Sequence, residues 1–197
     1  MVRRLFFGGF LAVECLAVWM FILPGGSARA AEQKVLSGQV PAAITRLAVI
    51  STLATSNQLH LAIGLPVRNP AAMNSLLAQI YDPASPLYRH YLTPGQFTEM
   101  FGPSPDDYQA VIDFAQANGL TITAMYSNRM VLGVSGAVAD IEKAFHVTLQ
   151  VYQHPTENRT FYAPSVAPTV DASLPILHVQ GLDNYLLPHP VSLKVPA

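Results

Sequence analysis

The run Gly133-Val134-Ser135-Gly136-Ala137 is the part of this sequence most typical of a catalytic nucleophile. A serine on a sharp turn between a strand and a helix can attack an acyl carbon, and G-x-S-x-G marks that turn in many hydrolases. The last position here is alanine instead of glycine. The same residues also suit an ordinary turn in which Ser135 caps the following helix. Catalysis by Ser135 is therefore one hypothesis beside a structural one.

Residues that could hold a metal ion or a cofactor are scattered along the chain. The histidines form neither an H-E-x-x-H nor an H-x-x-x-H pair, and no acidic calcium loop is present. A phosphate-binding loop and a dinucleotide fingerprint are also missing. The single cysteine, Cys15, offers no partner for a disulfide. We therefore predict no cofactor and no metal ion, and we expect separate surface or core-edge positions for His60, His90, His146, His154, His178 and His189.

The N-terminus has the pattern of an export signal. Arg3 and Arg4 precede an apolar run over residues 5–23, and Ala28-Arg29-Ala30 is a small-residue cleavage site. The run is long enough for a membrane anchor, but Glu14 near its middle favours a cleaved signal. The pattern predicts cleavage between Ala30 and Ala31, export to the periplasm or the medium, and no membrane attachment afterwards.

The charge balance after the signal argues against nucleic acid as a partner. Removal of Arg3, Arg4, Arg29 and Glu14 leaves eight basic and eleven acidic side chains, a formal net charge of −3. Nucleic-acid-binding domains carry a basic surface instead. We expect a domain that is monomeric when free.

Periodicity and capping residues predict an α+β fold. Strand-like runs cover residues 59–65, 121–126, 130–134 and 147–152, and helical stripes lie between the first and second run and between the third and fourth. This order is the ferredoxin-like βαββαβ arrangement, an antiparallel sheet with helices on one face and, here, an enlarged first crossover. The other face is left for solvent or for a partner.

The same patterns divide the chain into four parts. These are a signal peptide (1–30), an N-terminal lead-in (31–57), the folded domain (58–184) and an extended, proline-containing tail (185–197).

An aromatic loop followed by a short helix occupies residues 82–101. Thr93, Pro94 and Gln96 form a capping box with proline at the first helical position. We expect the apolar stripe of this helix to pack inside the domain, the loop tyrosines to pack against the sheet, and the charged residues between them to face outward. The stripe is Phe97, Met100 and Phe101, the tyrosines are Tyr88 and Tyr91, and the outward residues are Arg89 and His90.

The sequence resembles the activation domain, or prodomain, of the sedolisin and kumamolisin-type serine-carboxyl peptidases. The match covers about residues 40–184. It departs from the family at two helix or loop ends, where Arg89 and His146 stand in place of the usual glycine. The matching pieces are residues 61–69, Asp82-Pro83, Ser85-Pro86, Tyr88, Tyr91-Leu92-Thr93, Phe97, Phe101-Gly102-Pro103, Gly119-Leu120, Val134-Ser135-Gly136, residues 141–145, Tyr162, Pro168, Leu174-Pro175, Val179 and Gly181-Leu182-Asp183.

The resemblance implies a non-catalytic propeptide that helps a protease domain to fold and inhibits it until acid pH releases it, in cis or in trans. In the family, the catalytic Glu, Asp and Ser lie in a separate domain after the prodomain, and no residue here matches them. We therefore expect no enzymatic activity from this chain. The alternative is a small secreted hydrolase that uses Ser135.

The resemblance also suggests which residues meet the protease. A rigid domain would dock one face on the enzyme while its extended tail lies along the substrate cleft. Ordinary solvated residues would look the same in sequence. The candidate contacts are Arg89, His90, Pro188, His189 and Pro190.

Overall fold

The structure, a computed structural model, describes residues 32–187. These residues fold into a mixture of helices and antiparallel strands, which confirms the α+β class. In chain order the elements are β1 (Gln33–Val35), a 3-10 helix (Ala42–Arg46), β2 (Val49–Thr52), β3 (Gln58–Gly64), α1 (Pro70–Tyr81), α2 (Pro94–Phe101), α3 (Pro105–Ala117), β4 (Thr121–Met125), β5 (Val131–Ala137), α4 (Val138–Phe145), β6 (Leu149–Gln153), β7 (Thr160–Pro164), β8 (Thr169–Asp171) and β9 (His178–Gln180).

The starts of α2 and α3 follow directly from the local sequence. Thr93 accepts a hydrogen bond from the backbone of Gln96, and the Gln96 side chain accepts one from the backbone of Thr93. Ser104 and Asp107 form the same reciprocal pair at α3. Each pair satisfies two backbone donors that a helix start leaves without partners. At α1, by contrast, Asn69 makes no capping bond and adopts a left-handed conformation with φ of 49°.

A four-stranded antiparallel sheet in the order β4-β5-β3-β9 forms the centre of the domain. Leu61 lies opposite Val134 and Ile63 opposite Leu132, so their side chains share one face. Helices α3 and α4 pack on that face, where Ile141 and other apolar side chains complete a main core. Fully buried members of the main core are Ile63, Leu132, Val134, Ile141 and Phe145.

The edge of this sheet differs from the ferredoxin-like prediction. The strand predicted at residues 147–152 is β6, but it pairs with β2 and β7 in a separate three-stranded sheet. Both edges of β6 are hydrogen-bonded there, so it has no edge left for β3. Strand β9 takes the place beside β3 instead, with Val179 buried.

The lead-in contributes strands of its own. Strand β1 pairs with β8, and β2 pairs with β6. Leu36 is buried in the main core, and the side-chain oxygen of Gln39 accepts a hydrogen bond from the backbone N–H of Val179. The lead-in thereby covers an otherwise unpaired backbone group at the edge of the sheet.

Two family departures lie at left-handed positions. Arg89 has a φ of 61° and His146, which ends α4, has a φ of 53°. Glycine adopts this conformation without strain, whereas other residues rarely do. The geometry explains why glycine suits both positions.

Candidate functional site

The open face of the four-stranded sheet is a broad surface built mostly from small side chains. We use "open face" for the side opposite α3 and α4. Ala62 on β3, Gly133 and Ser135 on β5, and Thr121 on β4 lie on it, because Ser135 is opposite both His60 and Thr121, and Ala62 is opposite Gly133. These positions are exposed or half-exposed. A face of small residues offers a flat, accessible surface to a partner.

One histidine ring shapes the edge of the open face. His178 on β9 lies opposite Gly64 on β3, and a Cβ atom at Gly64 would come within 2.3 Å of the His178 ring. Gly64 therefore has to be glycine for the imidazole to rest on the strand.

The nucleophile hypothesis for Ser135 does not fit the structure. Ser135 lies inside β5, which continues to Ala137, so it is on a strand and not on a strand-to-helix turn. The expectation that Ser135 caps the next helix is also wrong, since the cap position is Ala137 and makes no side-chain bond. A nucleophile elbow depends on that sharp turn. We conclude that residues 133–137 resemble a nucleophile motif only because small residues suit this position of β5 in the sheet.

The aromatic loop is partly as expected. Arg89 and His90 are exposed, and the guanidinium of Arg89 lies 5.0 Å from the centre of the Tyr88 ring. Such a cation–π contact orients Arg89 along the surface. Tyr91, however, is 65% exposed and does not pack against the sheet. The packing prediction for Tyr91 was wrong because it borders a groove between α1 and α2.

That groove has a volume of 240 Å³ and an apolar lining. Phe101 at its base is buried, and its ring lies 5.8 Å from the Phe97 ring. Met100, which we expected to be buried, is 47% exposed. Helices α1 and α2 thus bury only part of their apolar stripes against each other.

The segment 181–187, which we call the exit segment, is held on β7 by several hydrogen bonds. The guanidinium of Arg159 donates to the carbonyl oxygens of Asn184 at 2.9 Å and Tyr185 at 2.6 Å. Asn184 also exchanges two bonds with the backbone of Tyr162. Arg159 is itself paired with Glu157. Charge-assisted donors of this kind fix both direction and position.

A buried histidine lies beneath the exit segment. His154 is 6% exposed. Its ring lies 4.9 Å from the Tyr185 ring in a tilted stack and meets the Phe161 ring edge-on at 5.8 Å. Its Nδ1 atom accepts hydrogen bonds from the backbone N–H groups of Thr156 and Glu157 at 3.4 and 3.0 Å. Its Nε2 atom has no hydrogen-bond partner, and the nearest carboxylate oxygen, of Glu157, is 3.7 Å away.

We call this aromatic assembly the exit cluster. It contains Tyr152, Phe161 and Ala163 with Ile44, Leu47 and Tyr185 packed on them, and His154 at its border. The hydroxyl of Tyr162 donates to the carbonyl oxygen of Gly181 at 3.2 Å. Burial, and after it the negative charge of Asp183, raises the pKa of Tyr162, and burial also raises the pKa of Tyr152.

Several predicted positions fall outside the residues that the structure describes. Ala30, Ala31, Pro188, His189 and Pro190 lie outside the described residues 32–187. Within that range, no group of three or more His, Cys, Asp or Glu side chains is placed to hold a metal ion. None of the helices between residues 32 and 187 is long and apolar enough to cross a membrane.

Sequence reasoning missed the residues that hold the exit segment. His154 and Arg159 flank a loop of polar residues that is typical of an exposed turn. The alternation of Phe161 and Ala163 with polar residues was a weak signal that this loop joins two paired strands. The partner of that hairpin, the exit segment, could only be found from the structure.

Comparison with known proteins supports one family. Residues 45–185 match the family described as the pro-kumamolisin activation domain. The chain is 31% identical to xanthomonalisin of Xanthomonas sp. (strain T-22) over 144 residues, which is 72% of this chain and 17% of that protein. It is 27% identical to sedolisin of Pseudomonas sp. (strain 101) over 145 residues, 73% of this chain and 24% of that protein.

The chain thus spans less than a quarter of the length of these two curated relatives. The match contains an activation domain and no catalytic domain, which agrees with the lack of a nucleophile site around Ser135. The open face lies within the matched residues, and so do residues 181–185 of the exit segment. This chain belongs to the pro-kumamolisin activation domain family.

Proposed function

We propose that this chain is the non-catalytic propeptide of a secreted sedolisin-type peptidase, which it helps to fold and keeps inactive until acid pH releases it. The observation that carries the proposal is the match of residues 45–185 to an activation domain. The protease domain is either encoded in the same polypeptide or supplied separately, so inhibition takes place in cis or in trans.

The open face is the proposed contact with the protease. Its residues are small, so another surface can approach the backbone closely. His60 and Thr121 on it are exposed, and Ala62, Gly133 and Ser135 are half-exposed. Protein interfaces need this kind of accessible, well-packed surface with few charges at the centre.

Two further elements flank that contact in the proposal. Arg89 and His90 are exposed in the loop after α1, where the backbone N–H of Arg89 donates to the Ile80 carbonyl at the C-terminal end of that helix. The tail with Pro188, His189 and Pro190 continues from the exit segment and would lie along the substrate cleft of the enzyme. Proline favours an extended chain, which is the conformation a protease cleft accepts.

Acid release follows from the titration of groups at such an interface. Histidine gains a proton near ~6.5 and carboxylates near ~4, so the charges on both partners change between neutral and acid pH. Contacts that depend on ionised carboxylates are then lost. The complex is expected to be tight at pH 7 and weak at pH 4.

The experiment is a binding titration of the purified chain with the isolated catalytic domain of sedolisin or xanthomonalisin, at pH 7 and pH 4. We expect measurable affinity at pH 7 and a loss of at least about tenfold at pH 4, which corresponds to about 1.4 kcal/mol. Recovery of peptidase activity after refolding of the catalytic domain, with and without the chain, tests the chaperone role.

Variants locate the contact. Ser135→Arg and Thr121→Arg place a bulky charge on the open face and should weaken binding at pH 7 by about tenfold or more. Gln109→Arg on the exposed side of α3 is the matched control and should bind like the wild type. No affinity at pH 7 would overturn the proposal, and equal weakening by Gln109→Arg would remove the open face as the contact.

A further inference from the structure

The hydrogen bonds made by His154 favour a ring with a bare Nδ1 atom. Backbone N–H groups can only donate, so the two that point at Nδ1 require a bare nitrogen there. The ring is therefore neutral, with its proton on Nε2, on the side of the Glu157 carboxylate. A proton added to Nδ1 would face two N–H donors and would break both hydrogen bonds.

The loop that carries those two donors also anchors Arg159. Glu157 supplies one of the N–H groups to His154 and pairs through its carboxylate with the Arg159 guanidinium. Arg159 in turn donates to Asn184 and Tyr185 in the exit segment. Movement of Glu157 away from His154 therefore disturbs the charge that positions Arg159.

We propose that His154, Glu157 and Arg159 form a proton-sensitive latch that holds the exit segment on β7 at neutral pH and releases it on acidification. The His154 ring also packs directly against the Tyr185 ring. A proton on His154 therefore acts on the exit segment in two ways, through the loop with Glu157 and Arg159 and through the contact with Tyr185. The three latch residues lie outside the main core, whereas Leu182 of the exit segment is buried in it. The latch therefore acts on the part of the exit segment after Leu182, and the domain stays folded when the latch opens.

The direction of the effect follows from proton binding. A free imidazole titrates near ~6.5, and in the latched loop two backbone N–H donors face the Nδ1 atom where the added proton would sit. Acidification therefore favours the open state, and the stabilisation is present above that pH and lost below it. Between pH 7 and pH 5, the ratio of open to latched molecules should rise by up to about 20-fold.

The other titratable groups around His154 set the expected pH window. Glu157 and Arg159 face it from the loop, and Tyr185 and Asp183 belong to the exit segment. Carboxylic acids free in water titrate nearer pH ~4. Opening between pH 7 and pH 5 points to the imidazole, and opening only near pH 4 points to the carboxylates.

The latch is a property of this chain alone, and only its use in freeing a protease depends on the proposed function. Release of residues 183–187 would free the segment that leads into the tail. In a propeptide, that step would expose the connection to proteolysis or withdraw the tail from an enzyme. A test without any protease therefore separates failure of the latch from failure of the proposed function.

Amide hydrogen exchange on the full chain at pH 7 and pH 5, corrected for the intrinsic rates, measures the opening directly. In the wild type, protection of the Asn184 and Glu157 amides should fall by about 20-fold at pH 5, while main-core amides such as Val134 keep theirs. An unchanged protection of Asn184 between the two pH values would overturn the latch.

Three variants make the test specific. His154→Asn keeps a side-chain oxygen near the place of Nδ1 but does not titrate, so the exit segment should stay protected at pH 5. His146→Asn, at an exposed left-handed position that suits asparagine, is the matched control and should open like the wild type. Glu157→Gln tests whether the Glu157 carboxylate, and not the imidazole of His154, causes the pH response.

Loss of the pH response in His154→Asn but not in His146→Asn supports the proposal. A response that persists in His154→Asn and disappears in Glu157→Gln would overturn it in favour of the carboxylate. Because His154→Asn also loses stacking on Tyr185, nitrogen NMR of the wild-type ring at pH 7 gives an independent reading. It should show the proton on Nε2, and a proton on Nδ1 would contradict the latch.

Discussion

The main core and the exit cluster are both well packed, but they differ in what they pack. Ile63, Leu132 and Phe145 in the main core are fully buried with other apolar side chains, and its one polar atom of note, the Tyr108 hydroxyl, donates to the Val131 carbonyl. The exit cluster combines aromatic rings with His154 and lies beside an ion pair.

This difference separates the global fold from the position of the exit segment. Apolar burial does not change between pH 4 and pH 8, whereas a buried imidazole and an ion pair do. The same domain can thus keep a constant scaffold while one end responds to protons.

The largest effect is expected in the main core. Phe145→Ala removes a fully buried ring that lies 5.8 Å from Phe114, and it should lower the free energy of unfolding by about 3–5 kcal/mol. Urea unfolding at pH 7 and pH 5 measures this loss, which should be equal at both. Leu177→Ala, at a side chain that is 56% exposed, is the control and should cost far less. A loss for Phe145→Ala that depends strongly on pH would break the comparison.

A smaller effect is expected where β9 leads into the exit segment. Gly181 has a φ of 97°, and a Cβ atom there would lie 2.4 Å from the His60 carbonyl oxygen. Gly181→Ala should therefore cost about 1–3 kcal/mol through backbone strain, and it should raise hydrogen exchange in the exit segment more than in the main core.

Gly95→Ala is the matched control for this substitution. A Cβ atom at Gly95 meets nothing within 4 Å, and alanine is the better helix former. Gly95→Ala should leave the exit segment unchanged and stabilise α2 slightly. Equal exchange of the exit segment in both variants would contradict the proposed role of Gly181.

The smallest effect concerns alkaline pH. Burial and Asp183 raise the pKa of Tyr162, so the folded state favours the protonated phenol. This contribution to the folding stability is present at pH values below ~10, which is the ordinary pKa of tyrosine, and it is lost as the pH rises above that pKa. Ionisation would also remove the hydroxyl proton that Tyr162 donates to the Gly181 carbonyl oxygen.

Tyr162→Phe should lower stability at pH 7 by about 1 kcal/mol, since one hydrogen bond is lost, and should reduce the decline above pH 10. Unfolding curves between pH 7 and pH 11 check this. Tyr126→Phe, at a 53% exposed side chain, is the control and should behave like the wild type. An undiminished alkaline decline in Tyr162→Phe would show that another group causes it.

The local elements could be predicted because their causes lie within a few residues. The capping box at Thr93, the start of α3 at Ser104 and the β4–β5 hairpin all appear as expected. Each depends on side chains no more than a few positions apart, where hydrogen bonds and turn preferences are set by residue type. The family match was confirmed for the same reason, since its motifs are runs of neighbouring residues.

The failures concern residues whose surroundings come from distant parts of the chain. Ser135 looked like a turn residue, yet β5 continues past it because β3 and β4 pair with it on both sides. Tyr91 looked like an anchor, but α1 and α2 leave it at the border of their groove. The interface candidates at Arg89 and His90 remain predictions, although both are exposed.

Residue types and spacing were enough to predict the α+β class, the family, the caps of α2 and α3, and the alternation that gives β3 one buried face. The pairing of β9 instead of β6 with β3, and the burial of His154 under the exit segment, became known only from the folded structure. The bond from Arg159 to Asn184 spans 25 residues, and that from Val179 to Gln39 spans 140. Such contacts depend on which strand edges remain free after the others have paired, and no short stretch of sequence contains that information.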